Sequence, residues 1–421
     1  DQKDKRYKMQ KEEDNMTGYE FLDDKGTFQL ERPEETGYLY FPIAGERGLK
    51  SAITPLLGGD AKTDQNHFLM QPVSEQELHN NRNTRNFWCR VEGKGVWSAA
   101  GSSAEETVKR MTGQGEESRL TAGFMWHQMD RKSEEFGLSS QILSFVPADE
   151  NVEIMKVSIT NIGTENATFT GYGVFPIYGR SADNLRDHRH VTSLLHRIKT
   201  TKNSIVVKPV LSFDERGHQQ NHTVYYVSGV TGEGNAPEAF YPCVNDFIGE
   251  GGSFDCPGAV YHNLKGVGAD AFIDGYEAAG AMCFEKRMLK PGETVVYILL
   301  AGLDEGDNCH EESLAAFGSE ELVNQAFERT KKYWLEKLNV SFRTGTLDFD
   351  NFLGWVSFQP MLRRIYGCSF LPHHDYGKGG RGWRDLWQDC LALLIMNPKG
   401  VKEMLLSNFG GVRIDGTNAT I

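Results

Sequence analysis

The sequence predicts a large all-β sandwich followed by a helical segment. Three observations carry this. Short apolar alternations broken by Gly, Asn, Asp and Pro fill residues 17–305, helical stripes replace them after about residue 310, and the composition is globular at 39% hydrophobic and 24% charged. A chain of 421 residues has room for about three domains of roughly 150 residues.

The clearest strand places Met155, Val157 and Ile159 on one face and Lys156, Ser158 and Thr160 on the other. A turn at residues 161–165 follows, and Tyr172 and Val174 set among glycines read as the return arm of a long hairpin over 155–175. Residues 223–227 and 294–300 repeat the alternation, the second entered through the turn Lys290-Pro291-Gly292-Glu293. So many strands require two stacked sheets or more. Ser319 then caps a helix of about five turns, with Glu320 and Glu321 in its first turn and Leu322, Val323, Ala326, Phe327, Tyr333, Trp334 and Leu338 along its stripe. A second helix runs from Asp348 towards Tyr366, where Pro360 predicts a kink or a stop. Residues 377–382 are a glycine-rich loop, a third helix covers about 383–396 up to Asn397-Pro398, and a fourth covers 399–408 up to Gly410-Gly411. About four helices cannot close a core of their own, so the natural polypeptide is expected to continue beyond Ile421.

Charge excludes several functions. Asp+Glu 58 against Lys+Arg 45 leaves a net charge of −13, a field that repels nucleic-acid phosphates and anionic lipid. No apolar run reaches the roughly 18 residues of a membrane span, and DQKDKRYKMQKEEDN is too charged for a signal peptide. The seven cysteines are scattered without a CxxC pair, which fits reduced thiols in a cytoplasm better than a disulfide framework or a structural zinc site.

Several candidate sites are weak. Residues 377–382 spell G-x-G-x-x-G, but Phe370-Leu371-Pro372-His373-His374-Asp375 before them is no buried strand, and Glu403 lies inside a helix instead of at a strand end. His188, His190 and His196, and the His373-His374 pair, show no metal-ligand spacing. GxSxG and HExxH motifs are absent. The run Trp383-Arg384-Asp385-Leu386-Trp387-Gln388-Asp389 is different. Asp385 and Asp389 are i, i+4 on one helix, Trp383 and Trp387 form a second stripe, and Arg384 stands one turn before Gln388. Carboxylates, an amide and a guanidinium beside two indoles are what sugars demand, hydrogen bonds for hydroxyls and aromatic faces for C–H. An internal salt bridge with two core tryptophans fits the same spacing. Arg384 and Asp389, five apart, converge only if Arg384 belongs to the entering loop.

This run, entered from its glycine-rich loop, resembles the Arg-Asp-x-x-Gln-Asp signature of glycoside hydrolase family 94, the inverting disaccharide and oligosaccharide phosphorylases. Gly37-Tyr38-Leu39-Tyr40-Phe41-Pro42, Asn86-Phe87-Trp88, Phe136-Gly137-Leu138-Ser139-Ser140 and residues 155–175 are similar to the family's N-terminal sandwich. The overall texture and residues 409–418 look most like the 1,2-β-oligoglucan phosphorylases. The resemblance implies a mutarotase-like β-sandwich (1–310), a helical linker (311–345) and the first helices of an (α/α)6 barrel (346–421). It implies phosphorolysis of β-glucosidic bonds to α-glucose 1-phosphate, with inorganic phosphate as co-substrate and no cofactor or metal. Arg384 and Asp389 would grip glucose in the −1 subsite, with Trp383, Gln388 and Asp385 as further substrate-binding residues. The expected partners are a β-glucan oligosaccharide, phosphate and glucose 1-phosphate, with no nucleic acid or membrane, in a cytoplasmic homodimer. The family's general acid Asp and phosphate-binding groups are expected after Ile421, so the chain is expected to hold no catalytic acid and to be inactive alone. A glycoside hydrolase of the same plan and a non-catalytic carbohydrate-binding or assembly module remain alternatives.

Overall fold

The structure, a computed structural model, describes residues 18–36, 39–73, 84–185, 189–214, 217–367 and 383–417. Every strand pairing among the described residues is antiparallel, and the strands form sheets of 11, 6, 4 and 2 strands. The largest sheet passes from the hairpin Tyr19–Phe21 and Phe28–Glu31 through Glu117–Gly123, Trp126–Ser133, Leu138–Phe145 and Val152–Asn161. It continues through Thr294–Glu305, Thr223–Thr231, Ser204–Val207 and Arg197–Thr200 to the edge strand Phe272–Asp274. The six-stranded sheet centres on Ala167–Pro176, flanked by Asn86–Val91 and Ala278–Cys283.

The two sheets stack over one core that includes Phe87, Cys89, Phe175, Val157, Tyr297 and Leu299. Met155, Val157 and Ile159 are buried there as their period predicts. The hairpin expected over 155–175 does not form. Val152–Asn161 pairs with Leu138–Phe145 and Thr294–Glu305 in one sheet, while Ala167–Pro176 pairs with Asn86–Val91, Ala278–Cys283 and Arg287–Leu289 in the other. The turn between them therefore arches across the core. The glycines serve a close approach of the sheets: a Cβ at Gly173 would lie 2.6 Å from Leu299 Cδ1, and one at Gly171 3.3 Å from Tyr297 Cζ. Tyr172 and Val174 face away, into a cluster with Phe247 and Val260 from two short helical turns.

Helices of eight residues or more are numbered in chain order. α1 (Ala104–Met111) starts at Ser103, whose side chain accepts the Glu106 N–H. α2 (Cys309–Phe317) and α3 (Glu320–Leu338) cover the outer face of the large sheet, where Phe317, Val323 and Ala326 meet Phe145, Ile154, Ile298 and Leu300. With both faces covered, Thr294–Glu305 reads as the nearly unbroken apolar run VVYILLAGL. Ser319 caps α3 as predicted, its side chain accepting the Leu322 N–H. α4 (Leu347–Tyr366), α5 (Trp383–Met396) and α6 (Val401–Phe409) follow. α4 runs through Pro360 without ending there. The predicted order of β-sandwich then helices is the observed fold.

The helices are bolted to the sandwich at the C-terminus of α4. Arg364 pairs with Glu46 at 2.5 Å, the Ile365 carbonyl accepts from Lys50 Nζ at 2.9 Å, and the Tyr366 hydroxyl lies 2.9 and 2.6 Å from the Ile43 and Ser51 carbonyls. Burial, then the Lys62 ammonium, holds the Lys50 pKa below its ordinary value.

Candidate functional site

α5 begins at Trp383, directly after residues 368–382, which lie outside the described residues, as do the G-x-G-x-x-G run and His373-His374. Its first turns present the residues singled out from the sequence. Arg384 is 85% exposed and pairs with its neighbour Asp385 at 3.3 Å. Gln388 is exposed, and the rings of Trp383 and Trp387 meet edge to face at 5.8 Å. Trp387 in turn packs on Phe409 of α6 at 4.9 Å.

Asp389 is in a different environment. Its carboxylate is 3% exposed and takes a fork of bonds from Arg363 on α4, Nε at 3.0 and 2.7 Å and Nη2 at 2.5 Å. This bidentate pair ties α5 to α4. The bond to Asp389 is the main cause that holds the Arg363 pKa above its ordinary value. Arg363 was not singled out from the sequence. Its signal was indirect: an Asp on the inward stripe of an apolar helix needs a buried cation.

Since α5 includes Arg384, the condition for convergence with Asp389 through a loop position is not met. Five helical residues turn the two side chains about 140° apart around the axis. The structure thus joins Arg384 with Asp385, Asp389 with Arg363, and Trp383 with Trp387. Arg384, Gln388, Leu391 and Ile395 form an exposed stripe, and Leu394 is exposed beside it. Phe349, Phe352 and Val356 on α4 and Leu406 and Phe409 on α6 are exposed as well.

His188 and the side chain of His190 lie outside the described residues. His196 is buried with Nδ1 3.2 Å from the Tyr276 carbonyl, and burial, then the Arg180 charge, lowers its pKa to about 3. Burial pushes the thiols of Cys243 and Cys309 up to about 12 and that of Cys283 up to about 11. No group of three or more metal-ligating side chains occurs among the described residues. No helix there is long and apolar enough to cross a membrane.

Residues 66–321, more than half of the chain, match the family described as the supersandwich domain of glycosyl hydrolase 94. The sandwich is thus of the class found in a glycosyl hydrolase family. The chain belongs to glycosyl hydrolase family 94. Among solved structures it is similar to a bacterial glucoamylase complexed with acarbose, at 9% identity and a TM-score of 0.53 over 90% of this chain and 51% of that one. It is also similar to a "putative kojibiose phosphorylase from human microbiome", at 9% identity and a TM-score of 0.52 over 94% of this chain and 50% of that one. At such identities the likeness is one of fold. The chain spans about half the length of these structures. No curated protein matches the sequence.

Proposed function

We propose that the chain supplies the sandwich, linker and first barrel helices of an inverting phosphorylase. The enzyme cleaves β-glucosidic bonds in oligosaccharides, β-1,2-linked glucans by resemblance, and releases α-glucose 1-phosphate. The observation that carries this reading is the family's supersandwich joined to a helix whose start presents Arg384, Asp385, Gln388 and Trp383 together at the surface. Phosphate is already an anion and attacks C1 without the general base that water needs in an inverting hydrolase, so a single acid on the leaving oxygen suffices. Arg384 and Asp385 offer charged donors and acceptors to hydroxyls, and Trp383 offers a ring edge or face. Arg363 holds Asp389 in one orientation, which fixes α5, and with it Arg384, against α4. The enzyme works as a cytoplasmic homodimer without a cofactor.

The fold similarity to a glucoamylase keeps hydrolysis as the second reading. Sugar release from β-glucan oligosaccharides by the intact enzyme, measured with and without inorganic phosphate, separates the two. Phosphorolysis requires that release stop, and glucose 1-phosphate vanish, when phosphate is omitted. Release of free glucose at an unchanged rate without phosphate rejects it in favour of the hydrolase.

A further inference from the structure

A groove of about 610 Å³ runs between the sandwich and α3, and none of its lining residues belongs to α5 or α6. The turn of the first hairpin forms one wall with Asp23, Lys25 and Thr27. Gly123, Phe124 and Trp126 form the floor, and one face of α3 forms the far wall. Both walls are held in place. Asn351 of α4 accepts the Gly26 N–H at 2.9 Å and donates to the Asp23 carbonyl at 2.7 Å, while Trp355 Nε1 donates to the Gly26 carbonyl at 2.9 Å. On the other side, Phe327 of α3 packs against Trp126 at 5.2 Å and Phe145 at 5.3 Å. A groove with such walls is preformed, so a ligand pays little to order it.

The lining charges cancel: Asp23, Glu328 and Glu336 stand against Lys25, Lys331 and Lys332. A surface of this kind favours neither an anion nor a cation, yet it offers donors and acceptors side by side, as a neutral polyhydroxyl ligand requires. At its floor Trp126 is half-buried, with the indole packed so closely on Gly123 that a Cβ there would lie 2.5 Å from Nε1. Trp126 lines the groove, which puts an aromatic ring and an indole N–H donor in the same place. The volume lies in the range of about 300–1,000 Å³ that encloses small organic ligands.

We infer that this groove is a non-catalytic binding site for a neutral oligosaccharide, with Trp126 as its stacking platform. That the ligand is a stretch of glucan rests on the function proposed above; its neutral, polyhydroxyl character rests on the groove. A long chain held here as well as at the helix array is bound at two points, which raises its apparent affinity without changing the chemistry at the bond cleaved.

The test is a titration of the intact protein, labelled with fluorotryptophan, with β-1,2-linked and β-1,4-linked glucan oligosaccharides. The resonance of Trp126 is assigned by its loss in Trp126→Phe. The expected result is a saturable shift of that resonance by sugar. In addition, Trp126→Phe and the exposed-rim double variant Lys332→Ala, Glu336→Ala should each weaken the binding of long glucans about threefold to tenfold, with unchanged turnover of the shortest substrate. Lys332 is 76% exposed, so the rim variant keeps the fold even where a floor variant fails. A Trp126 resonance unmoved at saturating sugar overturns the inference, as does one that moves only with protein concentration, which would assign the groove to a second copy of the chain. A saturable shift in a protein that needs no phosphate for sugar release keeps the groove and removes the phosphorylase reading.

Discussion

Asp389 and Arg384 looked alike in the sequence, two charged groups at the start of one helix, and the structure gives them opposite surroundings. Asp389 is buried against a bidentate Arg363, whereas Arg384 reaches into solvent. Removing one partner of a buried pair strands the other, a cost of about 3–5 kcal/mol when both are fully enclosed. Arg363 is 35% exposed, so water offsets part of that cost. Arg363→Ala and Asp389→Asn should therefore each lower the unfolding free energy by about 1–3 kcal/mol, and the double variant should cost less than their sum. Arg384→Ala should change stability by less than about 0.5 kcal/mol. In the intact enzyme it should nevertheless cut glucose 1-phosphate release by orders of magnitude, because a charged hydrogen bond to substrate is lost. Thermal melts beside phosphorolysis rates check both statements, and near-normal turnover in Arg384→Ala would return the motif to a structural role. The sequence could signal a partner for Asp389 but not its identity, because Arg363 stands 26 residues away on another helix.

At the scale of elements, periodicity was a good guide to type and a poor guide to partnership. The expected ends of the third helix match α5, and the fourth differs from α6 by one or two residues. Pro360 removes one N–H and the bond it would make to the carbonyl four residues earlier, which alone should stop a helix. α4 continues because its last residues are anchored to Asp389, Glu46, Lys50 and the sandwich backbone. α1 was missed although Ser103 and Glu106 spell the Ser-x-x-Glu start of a helix. The misread hairpin has a consequence for the core. Gly173 is small because the two sheets nearly touch there, so Gly173→Ala should destabilise the sandwich by about 1–3 kcal/mol through overpacking on Leu299. Leu299→Ala in the same chain should recover part of that loss. Chemical denaturation of the two single variants and the double tests it, and strict additivity would show that the glycine serves something other than this contact.

For the whole molecule, histidines buried in the sandwich make stability depend on pH. His127 is fully buried in the large sheet with neither ring nitrogen hydrogen-bonded, and burial, then the charge of Arg85, lowers its pKa from 6.5 to about 3. His196 is lowered to about 3 as well. Between these values the unfolded chain binds protons that the folded chain refuses. The stability is present above pH 6.5 and is lost as pH falls towards 3. Wild-type protein should therefore lose melting temperature steeply between about pH 6.5 and 4, and His127→Leu should lose it less steeply, with parallel profiles as the contrary result. Beyond its core, the molecule exposes apolar side chains on α4, α5 and α6, among them Phe352, Leu391, Ile395 and Leu406.

By itself the sequence determined the passage from strands to helices, the buried faces of the best strands and the limits of α5, because these follow from spacings of two to four residues along one backbone. It also pointed to Arg384, Asp385, Gln388 and Trp383 as a polar and aromatic group at a helix start, where the structure places them. Only the tertiary structure decided which sheet each strand joins, that Asp389 answers to Arg363, and that a hairpin, a turn and α3 enclose a groove around Trp126. Those outcomes depend on chain segments separated by up to about 300 residues meeting in space, and no local pattern of charge or hydropathy encodes which distant partner a side chain will find.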